Sequence, residues 1–308
     1  MQQKIPLIVV VGPTASGKTA LGIALAKQFN GEVVSADSMQ IYKQMDIATA
    51  KPSLQEMEGI PHHLMNLVEP SEPFSLAQYV TLAQQAIEDI HSRGKQPVIV
   101  GGTGLYHISL GDSGGDEEIR ENLLREAHEN GNRLLLEKLR IFDPETAEKL
   151  HENNLLRIIR AIEVYQTTGI PMSEWVKRSR TQETPYCFCM IGLNFRDRQK
   201  LYDRINLRVD WMIEKGLLDE TREMLKNPLQ TSAQAIGYKE LKPYLIGEEP
   251  LSICVDRLKQ STRRYAKRQL TWFRRDERIH WIFADEETNF AEVLKKSINT
   301  IEKSNVLC

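Results

Sequence analysis

No apolar run in this 308-residue chain reaches the ~18 residues that a membrane-spanning helix needs. Cysteine is scarce: Cys187, Cys189, Cys254 and Cys308 form no Cys-x-x-Cys pair and no Cys/His zinc spacing. That excludes a disulfide scaffold and a zinc module, and reduced thiols are expected. Cys187 and Cys189 alternate as in a strand, which predicts both sulfurs on one face. An excess of one charge is also missing. The net charge of −2 does not by itself point to a polyanionic partner. Internal repeats and low-complexity tracts are absent, which excludes a solenoid and a disordered chain. The opening, Met1 to Val11, lacks the longer apolar core and small-residue cleavage site of a signal peptide. A cytoplasmic location is therefore the expectation.

What is present reads as an α/β protein. Leu7 to Val11 is a continuous β-branched run, as in a strand buried on both faces. A glycine-rich turn follows, then helical spacing from Ala15 to Phe29, then a second strand at Glu32 to Ala36. Ser75-Leu-Ala-Gln78 is a capping box opening a helix to about Ser92, and Gln96 to Val100 is a third buried strand. Alternating strands and helices with two-sided burial indicate a parallel sheet flanked by helices. Beyond a linker-like Gly111-Asp-Ser-Gly-Gly115 the texture changes. Residues 116–182 read as helices rich in Glu, Arg, Lys and Leu, with Asp143-Pro144 as an N-cap and first helical position. Strand returns at Cys187 to Phe195, followed by long helical patterns over 198–226 and 251–275, a strand at 278–284 and a terminal helix. The expected organisation is a core of residues 1–110 and 183–308 with a helical insertion domain of residues 111–182.

Gly12-Pro-Thr-Ala-Ser-Gly17-Lys18-Thr19 matches the phosphate-loop pattern GxxxxGK[ST] between a strand and a helix. Gly12, Thr14, Ala15, Ser16 and Gly17 would present backbone N–H groups to phosphate oxygens, helped by the helix dipole, with Pro13 shaping the loop without an N–H of its own. Lys18 is placed to neutralise a phosphate, and the Thr19 hydroxyl is a Mg²⁺ ligand candidate. An ordinary phosphate-loop NTPase also ends a neighbouring strand in aspartate. Here the best candidate ends in Gly101-Gly102-Thr103, and the one acid at a strand end is Asp37. That placement hints at a pyrophosphate that leaves something other than a nucleotide. Asp37 is open to three roles: general base, metal ligand, or cap of the following turn.

Ligands collect at the carboxyl ends of parallel strands, so Asp37, Thr103 and the loop should converge. Arg204 and Arg208 lie one helical turn apart, on one face, as a solvated pair or an arginine clamp on a departing pyrophosphate. From Arg257 to Arg278 nine Lys/Arg face two acids. Arg257, Arg264, Arg268 and Arg275 share one helical face, with Arg263, Lys267 and Arg274 alongside, a spacing that suits an RNA backbone. His62-His63 resembles half a metal site without a third ligand, and a structural role is expected.

Seven segments together carry a family resemblance. They are the loop 12–19, Ser35-Ala-Asp-Ser-Met-Gln-Ile-Tyr42, Asp46-Ile-Ala-Thr-Ala-Lys51, Gly59-Ile-Pro-His-His-Leu64, Val100-Gly-Gly-Thr-Gly-Leu-Tyr106, Gln234-Ala-Ile-Gly-Tyr-Lys239 and Tyr265-Ala-Lys-Arg-Gln-Leu-Thr-Trp-Phe273. Over essentially its whole length the chain resembles bacterial tRNA dimethylallyltransferases. The resemblance implies transfer of a dimethylallyl group from dimethylallyl diphosphate to N6 of the adenosine 3′ of the anticodon in tRNA, with Mg²⁺ and release of pyrophosphate. It implies diphosphate binding by the loop through Thr19, Asp37 as base, and Asp37, Ser38, Met39 and Gln40 around the target adenine. Thr103, Arg120, Arg157, Arg160, Gln234, Gly237, Tyr238 and Lys239 would contact tRNA, beside Arg264 and Arg268 of the basic helix, and Arg208 would clamp the pyrophosphate. Two departures stand out. The family usually continues for several residues after Tyr106 before the acidic segment ending at Arg120, and Leu156 stands where Gln or Arg is frequent.

The residues fit that chemistry. An adenine amine is a poor nucleophile, so a base such as Asp37 is needed as the new bond forms. Charge then builds on the leaving pyrophosphate beside Lys18 and Arg208. A small-metabolite kinase would share the loop but not the basic helix. An RNA-binding regulator would leave Asp37 unused, and an adenylate dimethylallyltransferase would not need the insertion.

Overall fold

The computed structural model describes residues 4–103, 116–181, 184–226 and 231–307. The chain divides into two compact units, Met1–Leu110 with Pro185–Cys308, and Gly111–Thr184.

The first unit is built on a six-stranded, wholly parallel sheet. Its elements begin with β1 (Ile5–Val11), α1 (Lys18–Gln28), β2 (Gly31–Ser35), α2 (Leu54–Met57), β3 (His62–His63), α3 (Leu76–Ser92) and β4 (Gln96–Gly101). The second unit follows in the chain with α4 (Glu117–Asn130), α5 (Asn132–Phe142), α6 (Pro144–Glu148), α7 (Leu155–Thr168) and α8 (Met172–Thr181). The first unit then resumes with β5 (Tyr186–Asn194), α9 (Arg198–Glu214), α10 (Leu217–Met224), α11 (Tyr238–Leu245), α12 (Leu251–Phe273), β6 (Ile279–Phe283) and α13 (Phe290–Lys303).

The strand order β3-β2-β4-β1-β5-β6 puts β1 inside the sheet, between β4 and β5. The period-2 alternation of a strand then sends its apolar run into two cores. Leu7, Val9 and Val11 join the layer containing α3 residues Ala83 and Ile87 and α12 residues Leu258 and Phe273. Ile8 and Val10 join the opposite layer, with Leu21 and Leu25 of α1 and Val293 and Ile301 of α13. Burial on both faces is why the run carries no polar alternation. Cys187 and Cys189 point to one face as expected. Cys189 is buried in that second layer, and Cys187 Sγ lies 3.7 Å from the Val306 carbonyl at the same end of the chain.

Local signals are realised closely. Ser75 and Gln78 form the reciprocal capping box of α3, and Asp143 caps α6 by accepting the Thr146 N–H at 3.1 Å. Two helices are shorter than their patterns. α1 starts at Lys18, because Ala15 and Gly17 hold the loop at φ 62° and 97°. The pattern over 198–226 is cut at Gly216, whose φ of 99° separates α9 from a new helix that begins at Leu217. His62 Nδ1 lies 2.8 Å from the Ile60 carbonyl. His63 Nε2 lies 2.7 Å from buried Glu32, and among the described residues no group of three or more His, Cys, Asp or Glu side chains is placed to hold a metal.

The second unit is all helical among its described residues. It packs Leu123, Leu135, Leu139, Ile158 and Ile162 into its own core. Glu163 is fully buried on α7 and bonds Arg120 of α4 at 3.1 Å and Arg160 at 3.3 Å. The linker 111–115 and the segment after Tyr106 lie outside the described residues. No helix among the described residues is long and apolar enough to cross a membrane.

Candidate active site

The carboxyl ends of β1, β2 and β4 meet around one cavity of about 310 Å³ in the first unit. This is within the ~300–1,000 Å³ of small-molecule sites. Thr14, Lys18 and Thr19 line one side, and Asp37, Ser38, Met39 and Gln40 another, with Arg208 reaching in from α9 and Arg268 from α12. A more open recess of about 800 Å³ shares Lys18, Thr19 and Arg208 and runs against Leu207 and Trp211.

The glycine ending of β4 now has a physical cause. A Cβ on Gly101 would sit 2.2 Å from the Ala36 carbonyl oxygen, and one on Gly102 would sit 2.3 Å from Gln269 Nε2. The strand end has no room for a side chain, because β2 and α12 close on it. Gln269 is 6 % exposed and uses both ends of its amide. Its Oε1 accepts the Thr14 N–H at 2.8 Å and its Nε2 donates to the Gly102 carbonyl at 2.9 Å. Neither Gln269 nor its neighbour Tyr265 was singled out as a site residue from sequence. Both lie in the Tyr265–Phe273 motif, where they flank its two basic residues, Lys267 and Arg268, and that placement is the signal available.

Charge is concentrated here. Burial pushes the Lys18 ammonium down to about 8, and Arg208 pushes the same way, against the opposing pull of Asp37. Arg208 is likewise lowered by burial, with Asp37 and Glu56 opposing. The Tyr265 hydroxyl is held protonated by burial and by the Asp37 charge, and it bonds Thr103 and Gln269. Asp37 Oδ1 accepts the Met39 N–H at 3.0 Å. The turn-cap geometry is therefore present, while Oδ2 makes no hydrogen bond among the described residues. Thr103 stands behind Ser38, accepting its N–H at 3.2 Å. Gln40 is set by Ser35, whose hydroxyl donates to its Oε1 at 3.0 Å.

Several expected residues take other positions. Arg204 is exposed, its Nε donates to the Ala15 carbonyl at 2.9 Å, and it lines the open recess together with Arg208. Tyr238, expected to contact tRNA, is buried. It is 1 % exposed and its hydroxyl donates to Glu220 at 3.0 Å. Gly237 is turned inward as the N-cap of α11, its N–H donating to Glu240 at 2.9 Å, whereas Lys239 lines the cavity. The Gln234 side chain lies outside the described residues. On α12, Arg257 leaves the basic stripe to pair with Glu249 at 2.7 Å, and Arg263 donates to Asn206 at 2.6 Å. Arg264, Lys267, Arg268, Arg274 and Arg275 remain exposed. In the second unit Arg157 is exposed, while Arg120 and Arg160 share Glu163.

A parallel sheet whose central strand runs into a glycine-rich loop, a lysine and a threonine, with a carboxylate at the next strand end, defines an α/β protein of the phosphate-loop class. The chain belongs to the IPP transferase family, whose model matches residues 40–276, while an isopentenyl transferase model matches residues 5–69. It is 51 % identical over 304 residues to the tRNA dimethylallyltransferase of Thermoanaerobacter sp. (strain X514), covering 96 % of each chain. It is 48 % identical over 299 residues to the tRNA dimethylallyltransferase of Geobacillus thermodenitrificans, covering 94 % of each. Among solved structures it resembles the full-length tRNA isopentenylpyrophosphate transferase of Bacillus halodurans at a TM-score of 0.71 and 42 % identity, covering 99 % of both chains. It also resembles a eukaryotic dimethylallyltransferase acting on tRNA, at a TM-score of 0.78 and 36 % identity over 87 % of this chain and 70 % of that one.

Proposed function

We propose that this protein transfers the dimethylallyl group of dimethylallyl diphosphate to N6 of the adenosine 3′ of the anticodon in tRNA, releasing pyrophosphate. The observation that carries the proposal is the presence of Lys18, Thr19, Arg208 and Asp37 on one cavity. Cationic and hydroxyl groups for a diphosphate stand there with a carboxylate for an amine proton.

The loop amides of 14–19 and the start of α1 hold the diphosphate. The adenine N6 lone pair attacks C1 of the allyl group while the C1–O bond breaks and its electron pair leaves on pyrophosphate. The N6 proton passes to Asp37. Lys18 and Arg208 stabilise the charge that develops on the leaving oxygens. Ser38, Met39 and Gln40, held from behind by Thr103 and Ser35, seat the base once it has left its stack.

Mg²⁺ suits this donor set. It dehydrates reluctantly and takes few protein ligands when phosphates supply the rest. The Thr19 hydroxyl beside Lys18 would be such a ligand, and the ion would neutralise part of the diphosphate charge. Arg264 and Arg268 of α12, Lys239 by the cavity, and Arg120, Arg157 and Arg160 of the helical unit supply positive charge for the tRNA backbone.

The test is nucleoside mass analysis of bulk tRNA after incubation with enzyme, Mg²⁺ and dimethylallyl diphosphate. An isopentenyl-adenosine mass is expected. Transfer to AMP in preference to tRNA, or phosphoryl transfer from ATP, would replace the proposal.

A further inference from the structure

Glu220 on α10 is absent from every motif that carries the resemblance, yet its carboxylate is fully engaged. Oε2 accepts the N–H groups of Asp46 at 2.9 Å and Ile47 at 2.7 Å, and Oε1 accepts the Ala48 N–H at 2.9 Å and the Tyr238 hydroxyl at 3.0 Å. A carboxylate has about four lone-pair sites, so no acceptor capacity is left over. Three consecutive amides pointing at one centre form an anion nest, and here the protein fills it with its own side chain.

The two segments gathered at Glu220 are both cavity walls. Ala48, Thr49 and Ala50 line one side, and Ala235, Ile236 and Lys239 another. The 46–50 loop in turn receives Gln40, whose Nε2 donates to the carbonyls of Thr49 at 3.3 Å and Ala50 at 3.4 Å. The walls also touch next to the clasp: a Cβ on Gly237 would sit 3.5 Å from Ala48 Cβ. The charge on Glu220, together with burial, keeps the Tyr238 phenol protonated and therefore a donor. None of these bonds reaches the 12–19 loop or Lys18, so the clasp acts on one side of the cavity only.

We propose that Glu220 is a positioning residue for the acceptor base: it clasps the 46–48 loop to the 235–239 segment and thereby sets Gln40 and the Thr49–Ala50 wall against the adenine. The proposal rests on the cavity being the acceptor pocket of an adenosine dimethylallyltransferase. Glu220 itself touches no substrate. Its loss leaves three amides without their acceptor and loosens the wall, while the diphosphate side keeps its geometry.

The experiment uses full-length enzyme, tRNA and dimethylallyl diphosphate, with Glu220→Gln and Tyr238→Phe. Glu220→Gln keeps one acceptor oxygen and turns an NH₂ towards an amide. The expected result is a kcat/KM for tRNA lowered about 10- to 100-fold, with donor affinity within about twofold of wild type. Tyr238→Phe keeps the three amide bonds, folds with an unchanged core shape, and should lower the same ratio by about 2- to 5-fold. Hydrogen exchange is the independent readout. The amides of Asp46, Ile47 and Ala48 should exchange faster in Glu220→Gln, while those of 14–19 are unchanged.

Unchanged exchange at 46–48 overturns the clasp. Faster exchange with an unchanged kcat/KM for tRNA makes Glu220 a stabilising residue only and overturns the positioning role. A parallel loss of donor affinity overturns its one-sidedness. If Glu220→Gln does not fold, the Tyr238→Phe ratio decides. A wild-type enzyme that transfers nothing to tRNA defeats the parent reading, a result distinguishable from active wild type with unmoved variants.

Discussion

The side-chain oxygen of Gln269 accepts the backbone N–H of Thr14 at 2.8 Å, across 255 positions of sequence. Through its other end, bonded to the Gly102 carbonyl, the same amide ties the phosphate loop to the end of β4. Replacing Gln269 by leucine would leave a buried donor and a buried acceptor unpaired. Each such group costs about 1–3 kcal/mol, so a loss of roughly 2–6 kcal/mol is expected in a denaturant melt, together with weaker binding of inorganic pyrophosphate. A Gln269→Leu protein with wild-type stability and pyrophosphate affinity would show that the bridge is dispensable.

Asp37→Asn keeps the shape and the bond from the Met39 N–H but cannot take the amine proton. Single-turnover transfer should slow by about 10²- to 10⁴-fold with donor affinity little changed. If Asp37 is a turn cap alone, the variant melts lower and transfers at the wild-type rate.

The Lys18 ammonium, lowered to about 8 by burial and by Arg208, makes donor binding pH-dependent. A bound diphosphate favours the charged form, so above pH 8 binding must take up a proton. Donor affinity should be flat below about pH 7.5 and fall towards tenfold per pH unit above 8. The linkage to folding has the opposite sense. Because the folded value lies below the ordinary 10.5, Lys18 opposes folding when charged, and that opposition is relieved as pH rises from 8 to 10.5. Calorimetric titration with pyrophosphate from pH 6.5 to 9.5 tests this. Lys18→Arg should abolish the slope, and a persisting slope would assign it to another group.

Glu32 is a stability centre away from the cavity lining. Its buried carboxylate accepts from Arg93 at 2.6 and 2.8 Å and from Lys95 at 2.8 Å, and it sits 2.7 Å from His63 Nε2. The Arg93 bonds, with those of Lys95 and His63, hold it well below the usual carboxylate range against the cost of burial. A depressed folded value means the contribution is fully present above the ordinary 4.5 and is lost progressively as pH falls from there towards the lower folded value. Glu32→Gln should cost about 1–3 kcal/mol at pH 7, because Arg93 and Lys95 lose a charged acceptor yet stay open to solvent, and the difference from wild type should shrink in acid. Urea melts at pH 7 and pH 4 measure both, and an equal cost at the two pH values would contradict the ionic account.

The basic helix makes a selective prediction about salt. Neutralising about five phosphates gives a slope of roughly −4 to −5 in log K for tRNA against log salt. Glutamine at Arg264 and Arg268 together should flatten it by up to about 2. Glutamine at Arg257 should scarcely change it, because that guanidinium is paired with Glu249. Filter binding across a salt series compares the two, and equal effects would restore Arg257 to the RNA-facing stripe.

What the sequence determined by itself is local. The phosphate loop, the Ser75–Gln78 capping box, the Asp143 cap and the alternating burial of β1 depend on residues a few positions apart. Their signals are turn chemistry and periodicity, which survive without knowledge of the rest of the chain. The convergence of Lys18, Asp37 and the β4 end follows almost as directly, since parallel strands bring their carboxyl ends to one edge. The tertiary structure alone decided which polar side chains face inward. Tyr238 sits in a motif that looks exposed, and nothing near it in sequence says that Glu220, 18 positions earlier, will take its hydroxyl. Gln269 and Glu220 reach the cavity walls across about 170 to 255 positions. Such bonds exist only after α10 and α12 have packed on the sheet, because a side chain's partner is fixed by what the fold brings within 3 Å of it.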